Sequence, residues 1–510
     1  MVGMVARVHI QCKQSSTGFI LEKTIITNLS QFQNWWKINK KPVVSFDTET
    51  DSLNYLELNC IGVSFCNGES ACYVDLLDKD AFPEFFGVFP DIWNDIELLV
   101  LHNAVFDLKV LHKYGIEPRK IFCTLTAMKL LDENRGKGKY ALKELAHTEL
   151  GIPREQIKSF EEAQAFGYQS EEFYNYGMDD SIWTCQLYEF QRPLLEAQDL
   201  MYLVETVEFP FQHVLADLER NGVLVDVERL HQFKSQVENI LFKLEVLMLA
   251  EIGMEHDVLE QQGQIELVSP INLNSSQQLA AVAEGILGLK ITERTRRSKK
   301  YPKGQKSVDK FTISRLAPAS EFFKLLSRYR KLGTLYRTFL NPCEKFIGLD
   351  GHIRASYQMI RTGRLSCSRP NLQNLPNPKK EVLEFNHRLL FIPAAGYVFV
   401  KADWAGQELR VLAEESQDEC MIQAFIDCKD LHLMTANSIF NLKLTDEQLT
   451  ATSEAFKKAK KKFATERHRA KNGVNFPIIY GKSVQTLATD FNITVEEATR
   501  WMRFMACTQM

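Results

Sequence analysis

The stretch SFDTET (45–50) sets Asp47 and Glu49 two residues apart at the end of an apolar run. Alternate residues of a strand leave the same face, so the two carboxylates project together and repel each other unless a cation sits between them. Two more acids come in helix-spaced pairs. Asn103 and Asp107 lie in HNAVFDLKVL, and Tyr176 and Asp180 in YGMDDSIW, each pair at i, i+4 and so on one side of a helix. Asp179 competes with Asp180, since residues three and four apart both share a helix face with Tyr176. An exposed strand end would carry a D-x-E pair just as readily, so the signal lies in the ordered set. His102 and His112 flank the second pair and read as structural.

Such residues need strands followed by helices to hold them, and the surrounding sequence supplies both. PVVSF, CIGVSFC and ACYVDLL carry the β-branched and aromatic bias of strands, and NGES between the last two reads as a hairpin turn. VFDLKVLHKYG, YALKELAHTELG and DDSIWTCQLYEF then place apolar residues three and four apart, as helices do. Residues 1–195 are expected to form a mixed α/β domain. Residues 196–345 read as mostly helical, as in MYLVETVEFPFQHVLADLERNG with its Asn-Gly stop, interrupted by the basic loop RTRRSKKYPKGQK (294–306). From 346 to 510 short strands return, notably YVFVKADW (397–404), and helices follow.

The ordered set D-x-E, N-x-x-x-D, Y-x-x-x-D resembles the three motifs of the DnaQ-like 3′-5′ exonucleases, whose fold is RNase H-like with a mixed sheet. By this resemblance Asp47, Glu49, Asp107 and Asp180 would hold two metal ions, Tyr176 would orient the attacking water, and Asn103 would help to place the substrate strand. The residue types suit that chemistry. Divalent ions roughly 3.5–4 Å apart activate a water and stabilise the departing 3′ oxygen, and oxygen ligands suit Mg²⁺ or Mn²⁺.

Asp403 ends the apolar run YVFVKA, where a carboxylate can bind Mg²⁺ beside nucleotide phosphates. RTGRLSCSRPNLQNLP (361–376), KADWAGQELRVLAEES (401–416) and RHRAKNGVNFPIIYG (467–481) occur in this order. With VEFPFQHVLADLERNGVLVD and INLNSSQQL in the middle, they resemble family-A DNA polymerases, the group of bacterial DNA polymerase I-like and phage replicative enzymes. The resemblance implies a mostly helical thumb and a partial α+β palm and fingers region. It makes Asp403 a palm metal ligand and puts Glu408 under the sugar, where it would exclude a 2′-hydroxyl; a salt bridge is the other reading of Glu408. His432, Arg467, Lys471, Phe476 and Tyr480 would surround the incoming dNTP, with Phe476 discriminating against 3′-deoxy sugars. Arg364, Asn371, Gln373 and Asn374 match positions in the primer-template minor groove, where long donors reach acceptors that every base pair displays. The basic loop resembles a thumb tip gripping duplex DNA.

One helix departs from the family's pattern. Arg467 and Lys471 are four apart, as are Phe476 and Tyr480, but five steps separate Lys471 from Phe476 where the family has four. On a regular helix five steps turn about 500°, which would swing Lys471 roughly 140° away from Phe476. Pro477 has no N–H for the carbonyl of Gly473 and its ring crowds that carbonyl. A one-residue π-type bulge near Asn472 and Gly473 would absorb both anomalies; the alternative is that Arg469 takes over one basic position.

The family pattern also calls for a second metal-binding aspartate in a later His-Asp-Glu-like motif. After Tyr480 only Asp490 follows, within ATDFNITVEEA, and it reads as a helix end. The expectation is a C-terminally shortened polymerase with a complete exonuclease motif set and a palm too incomplete to make polymerisation by this chain alone a firm expectation. An interrupted gene, or a split whose second polypeptide completes the palm, would give the same ending. A stand-alone 3′-5′ exonuclease and a DNA-binding remnant or subunit are the alternatives, and the paired acids argue against the remnant. The expected partners are primer-template DNA, single-stranded 3′ ends and dNTPs.

Composition sets the outer bounds. At 510 residues and 45% hydrophobic content there is material for several cores, and a net charge of -4 names no partner. Charge clusters matter more: seven cations and no acid in 294–306, and eight cations against Glu466 in KKAKKKFATERHRAK (457–471). Eleven cysteines include no C-x-x-C, and Cys60, Cys66 and Cys72 read as small buried hydrophobes. A reducing, cytoplasmic setting follows, in the host cell if the gene is phage-borne. The amino terminus lacks the apolar core of a signal peptide, and no apolar run is long enough to span a bilayer.

Overall fold

A computed structural model describes residues 21–77, 82–136, 138–261, 264–297, 301–360, 362–375, 386–491 and 493–507. The amino-terminal stretch read for a leader, residues 298–300 of the basic loop, Arg361 and Pro376 of the motif, and the last three residues lie outside these. Two compact units divide at Val398 and Phe399, inside the segment expected to run from 346 to 510.

The first unit opens with a six-stranded mixed sheet of β1 (Glu22–Ile26), β2 (Val43–Thr50), β3 (Cys60–Cys66), β4 (Ser70–Asp75), β5 (Leu98–Leu101) and β6 (Ile121–Cys123). Its order is β1-β4-β3-β2-β5-β6. β2, β3 and β4 run antiparallel in sequence, whereas β1 is parallel to β4, and β5 is parallel to both β2 and β6. The NGES turn joins β3 and β4 as expected. Both strands are buried throughout, which is why they read as continuous apolar runs and not as alternating ones.

Each face of this sheet has its own core. On one side Val44 and Phe46 of β2 meet Phe32, Trp35, Trp36 and Phe65. Ser45, Asp47 and Glu49 take the other side by the two-residue period of the strand, and there they meet the long helix Glu171–Ala197. Ser45 Oγ donates to the carbonyl of Ser181 at 2.7 Å, and Ser64 Oγ to that of Gly177 at 2.7 Å. The helix lies very close to the sheet at this point. A Cβ on Gly177 would fall 2.6 Å from the ring of Tyr73, so only glycine fits.

Beyond the sheet, the helix Phe209–Asn221 stops at Gly222, as the Asn-Gly pair predicts, and the φ of 64° there is one that glycine adopts without strain. The helices Val227–Glu251 and Glu321–Leu335 then build a second core around Leu230, Val237, Leu244, Phe322, Phe323 and Leu326. A short hairpin, Ser356–Met359 with Leu365–Ser368, carries Arg364 at its turn. In the second unit, helices Gln407–Ser416, Leu431–Phe440 and Ala464–Ala470 bury Leu409, Leu433, Ala436 and Ala470.

One expected element is not formed. Residues 397–404 make no strand; Val398 is 80% and Val400 88% exposed, with Tyr397, Phe399 and Trp404 exposed as well. β-propensity needs a paired neighbour to be realised, and no described strand pairs with this run. The cysteine expectation holds: Cys60, Cys66 and Cys72 are buried and free. Among the described residues no helix is long and apolar enough to cross a membrane.

Candidate carboxylate centre and bulged helix

β2 and β5 are parallel neighbours, and the chain leaving β5 turns at once into the helix Val105–Lys113. Asp107 therefore stands beside the carboxyl end of β2, while the long helix brings Tyr176 and Asp180 over the same end. The strand register slips between Glu49 and Thr50, an irregularity of the kind that re-aims side chains beside active sites. Carboxylate oxygens of Asp47, Glu49 and Asp180 lie within 4.8 Å of one another. Asp107 is in the same pocket but is turned toward β2, where its Oδ1 accepts from Thr48 N at 3.1 Å and from Thr48 Oγ1 at 2.7 Å.

Gathering these acids is electrostatically costly. Burial, then Asp107, Glu49 and Asp180, pushes Asp47 well above the usual carboxylate range. Burial and Asp180 do the same to Glu49. Asp107 is raised by burial to about 7 although both Thr48 bonds oppose the rise. Burial also raises Asp180, against the nearby Lys143 ammonium. Glu49 Oε1 is buried and accepts no hydrogen bond. A buried carboxylate oxygen without a donor costs several kcal/mol in an apolar setting, on the order of 1–3 or more, and a hard divalent cation is the partner this all-oxygen donor set fits.

The raised values fix a pH dependence. Asp107 holds a proton in the folded chain from the unfolded value near 3.8 up to about 7, so its stabilising contribution is complete below that window and is lost as pH rises through about 7. In EDTA, thermal melting of the wild type should fall between about pH 5 and about pH 8, and the fall should be smaller for Asp107→Asn. Equal slopes for the two proteins would contradict the assignment.

The other expected residues are placed as follows. Tyr176 packs on Phe160 and Phe173, and burial followed by Asp180 and Glu49 pushes its phenol upward. Asp179, the competitor of Asp180, faces away and pairs with Lys23 at 2.6 Å. Asn103 corrects the reading from spacing. It is not on the helix that carries Asp107 but in the turn before it, at φ 60°, and it lines a cleft of about 410 Å³ with Lys109, Tyr357 and Arg369. His102 is structural, sharing a hydrogen bond with Thr124 Oγ1 at 2.8 Å. Sequence reasoning missed Lys143, which ion-pairs with Asp180 and lies 4.0 Å from the Tyr176 ring centroid. It comes from a separate short helix, Leu142–Thr148, so no spacing links it to the acids. Asn371 and Asn374 line a different cleft of about 610 Å³ against the helix Glu321–Leu335. Arg364 and Gln373 are exposed nearby in sequence.

In the second unit the anomalous helix is resolved as the bulge. Lys471–Asn475 is a π-helical turn in which the N–H of Phe476 reaches the carbonyl of Lys471. Five steps then make one turn, and Lys471 Nζ sits 5.1 Å over the Phe476 ring, on the same side. Arg469 is not needed in its place. The Tyr480 hydroxyl donates to Glu408 at 2.6 Å. His432 meets Phe476 edge to face at 5.7 Å and shares a 2.9 Å hydrogen bond with Asn475. Burial and the Arg467 charge bring its imidazole down to about 4. Arg467 pairs with Asp430 at 2.7 Å; burial raises that carboxyl, and the guanidinium overrides it to hold it low. Asp403 is exposed and belongs to no group of three or more potential metal ligands among the described residues.

Two family models match the chain: DNA polymerase family A over residues 246–506, and 3′-5′ exonuclease over residues 24–196. DNA polymerase I of Treponema pallidum is 28% identical, over 89% of this chain and 46% of its own length. DNA polymerase I of Pseudomonas aeruginosa is 27% identical, over 94% of this chain and 50% of its own. The chain thus spans about half the length of the curated relatives it matches. The POL domain of Pol1 from M. smegmatis, solved in complex with DNA primer-template and dNTP, has the same fold, with a TM-score of 0.72 at 22% identity over 94% of this chain and 75% of that one. None of these matches supports a second polypeptide as partner. With one model spanning half of its residues and the other covering the sheet that carries the acids, the chain belongs to DNA polymerase family A and bears a 3′-5′ exonuclease domain.

Proposed function

We propose that this chain removes nucleotides from DNA 3′ ends at the Asp47, Glu49, Asp107, Asp180 centre, and that its remaining parts hold primer-template DNA and an incoming dNTP as a proofreading polymerase does. The convergence of Asp47, Glu49 and Asp180 around an unpartnered Glu49 oxygen carries the reading. Asp47, Glu49 and Asp180 would hold Mg²⁺ or Mn²⁺, with Asp107 completing a second position. Such ions supply Lewis acidity and a water acidified enough to attack a phosphodiester. Tyr176 keeps its proton through burial beside the carboxylates, and its hydroxyl can orient that water. Asn103 and Arg369 line the neighbouring cleft, beside Lys109 in its pair with Glu219, a suitable wall for a single strand's phosphates.

In the second unit Lys471, Phe476 and Tyr480 share one face, with Glu408 and His432 touching two of them. This is a nucleotide-gripping surface, with Arg467 available beside Asp430 and Asp403 as a metal ligand. Arg364, Asn371, Gln373 and Asn374 would read pair shape in the minor groove. A second reading, a 3′-5′ exonuclease whose polymerase region only holds DNA, is favoured by Asp403, which is exposed and in no group of three or more potential metal ligands among the described residues. Labelled primer-template with Mg²⁺, with and without dNTPs, tests both. Shortening from the 3′ end supports the nuclease; extension with dNTPs supports the replicative reading, and shortening alone supports the second. If the chain shows neither shortening nor extension, the proposal is overturned.

The basic loop should contribute to DNA holding. Arg296, Arg297 and Lys303 are exposed, whereas Lys306 is paired with Glu284. Reversing Arg296, Arg297 and Lys303 to Glu should weaken duplex binding and reduce the slope of log affinity against log salt by roughly 0.9 for each phosphate no longer neutralised. Fluorescence anisotropy across a salt series measures it.

A further inference from the structure

Lys143 places a fixed cation among the carboxylates. Its ammonium ion-pairs with Asp180 Oδ1, and its charge is felt by Asp47 and Glu49 as well. The same nitrogen lies 4.0 Å from the ring centroid of Tyr176 and 4.8 Å from that of Trp183. Two aromatic faces therefore stand next to the carboxylate seat, at distances where a cation is held by the rings alone. A divalent ion bound by Asp180 would lie beside the ammonium on Oδ1, and two cations on one carboxylate repel each other.

Resting on the exonuclease reading, we infer that Lys143 is a built-in competitor for the metal-binding carboxylates. It neutralises Asp180 while the centre is ion-free, must yield that pair when a divalent cation arrives, with Tyr176 and Trp183 as its remaining neighbours, and so sets the cation concentration at which the centre loads. Lys143 is a positioning residue in this role. It holds Asp180 and the Tyr176 ring in place before loading, and it makes loading harder.

The test is calorimetric titration of the full chain with Mn²⁺ alone, no DNA present, with Asp47→Ala as the control that defines binding at this centre. Lys143→Met should bind Mn²⁺ about tenfold more tightly than the wild type, as expected for removing one adjacent like charge, and should melt at a lower temperature in EDTA. Lys143→Arg, which keeps the charge, should stay within about twofold of wild type. Should Lys143→Met fold poorly, Lys143→Gln keeps the length and polarity of the side chain and should show the same tightening. Unchanged or weaker Mn²⁺ binding by the neutral variants, beside normal binding by the wild type, overturns the inference and leaves the exonuclease standing. If wild type and Asp47→Ala bind Mn²⁺ alike and digest DNA alike, the exonuclease reading itself fails, and this one with it.

Discussion

Asp47→Ala is expected to lower 3′-5′ digestion of single-stranded DNA by about a thousandfold or more, roughly 4 kcal/mol of transition-state stabilisation. Asp47 is the least enclosed of the clustered acids, on a strand whose neighbours Phe46 and Thr48 are buried, so the fold should survive the loss. Removing one of several mutually repelling carboxylates even relieves strain in the ion-free protein. The variant should melt at the wild-type temperature or above it in EDTA, and should lose the stabilisation that Mg²⁺ or Mn²⁺ gives the wild type. Loss of activity with a large fall in melting temperature would point to a scaffolding role instead. Retained activity would remove Asp47 from the centre.

The second large effect comes from a residue that touches no substrate. Gly177→Ala would put a Cβ 2.6 Å from Tyr73 Cε2 and 2.8 Å from its Cδ2, and the long helix must lift to relieve the overlap. Overpacking of this kind costs about 1–3 kcal/mol of stability. Because Tyr176 and Asp180 ride on that helix, a displacement near 1 Å should also cost on the order of a hundredfold in nuclease turnover. Combining Gly177→Ala with Tyr73→Leu removes the ring and should restore most of the turnover. A double variant no better than Gly177→Ala, measured by the same digestion assay, would show that the helix is positioned by something other than this contact.

Much of this centre was legible because short-range geometry carried it. The two-residue period of β2 put Asp47 and Glu49 on one face, and the four-residue period of the long helix put Tyr176 and Asp180 on another. The choice of Asp180 over Asp179 came from the Y-x-x-x-D pattern of the resemblance, and Asp179 pairs instead with Lys23. Asn103 was misjudged because its spacing from Asp107 fits a helix, yet the chain is still turning there, at φ 60°, and the helix begins two residues later. Lys143 and Thr48 were invisible for a different reason. Their roles exist only through contacts between separate elements, which no interval along the chain encodes. The run at 397–404 failed in the opposite sense: its composition is that of a strand, but composition supplies no partner ladder.

The π turn at Lys471–Asn475 bears on how such helices tolerate change. Adding one codon to a helix ordinarily rotates everything upstream by about a quarter turn relative to everything downstream, and would be purged wherever both halves serve one ligand. A single wide turn swallows the extra residue locally, so the two halves stay in phase and the gene can gain length without losing the grip. Family patterns written as fixed intervals would then pass over chains whose side chains still meet in space.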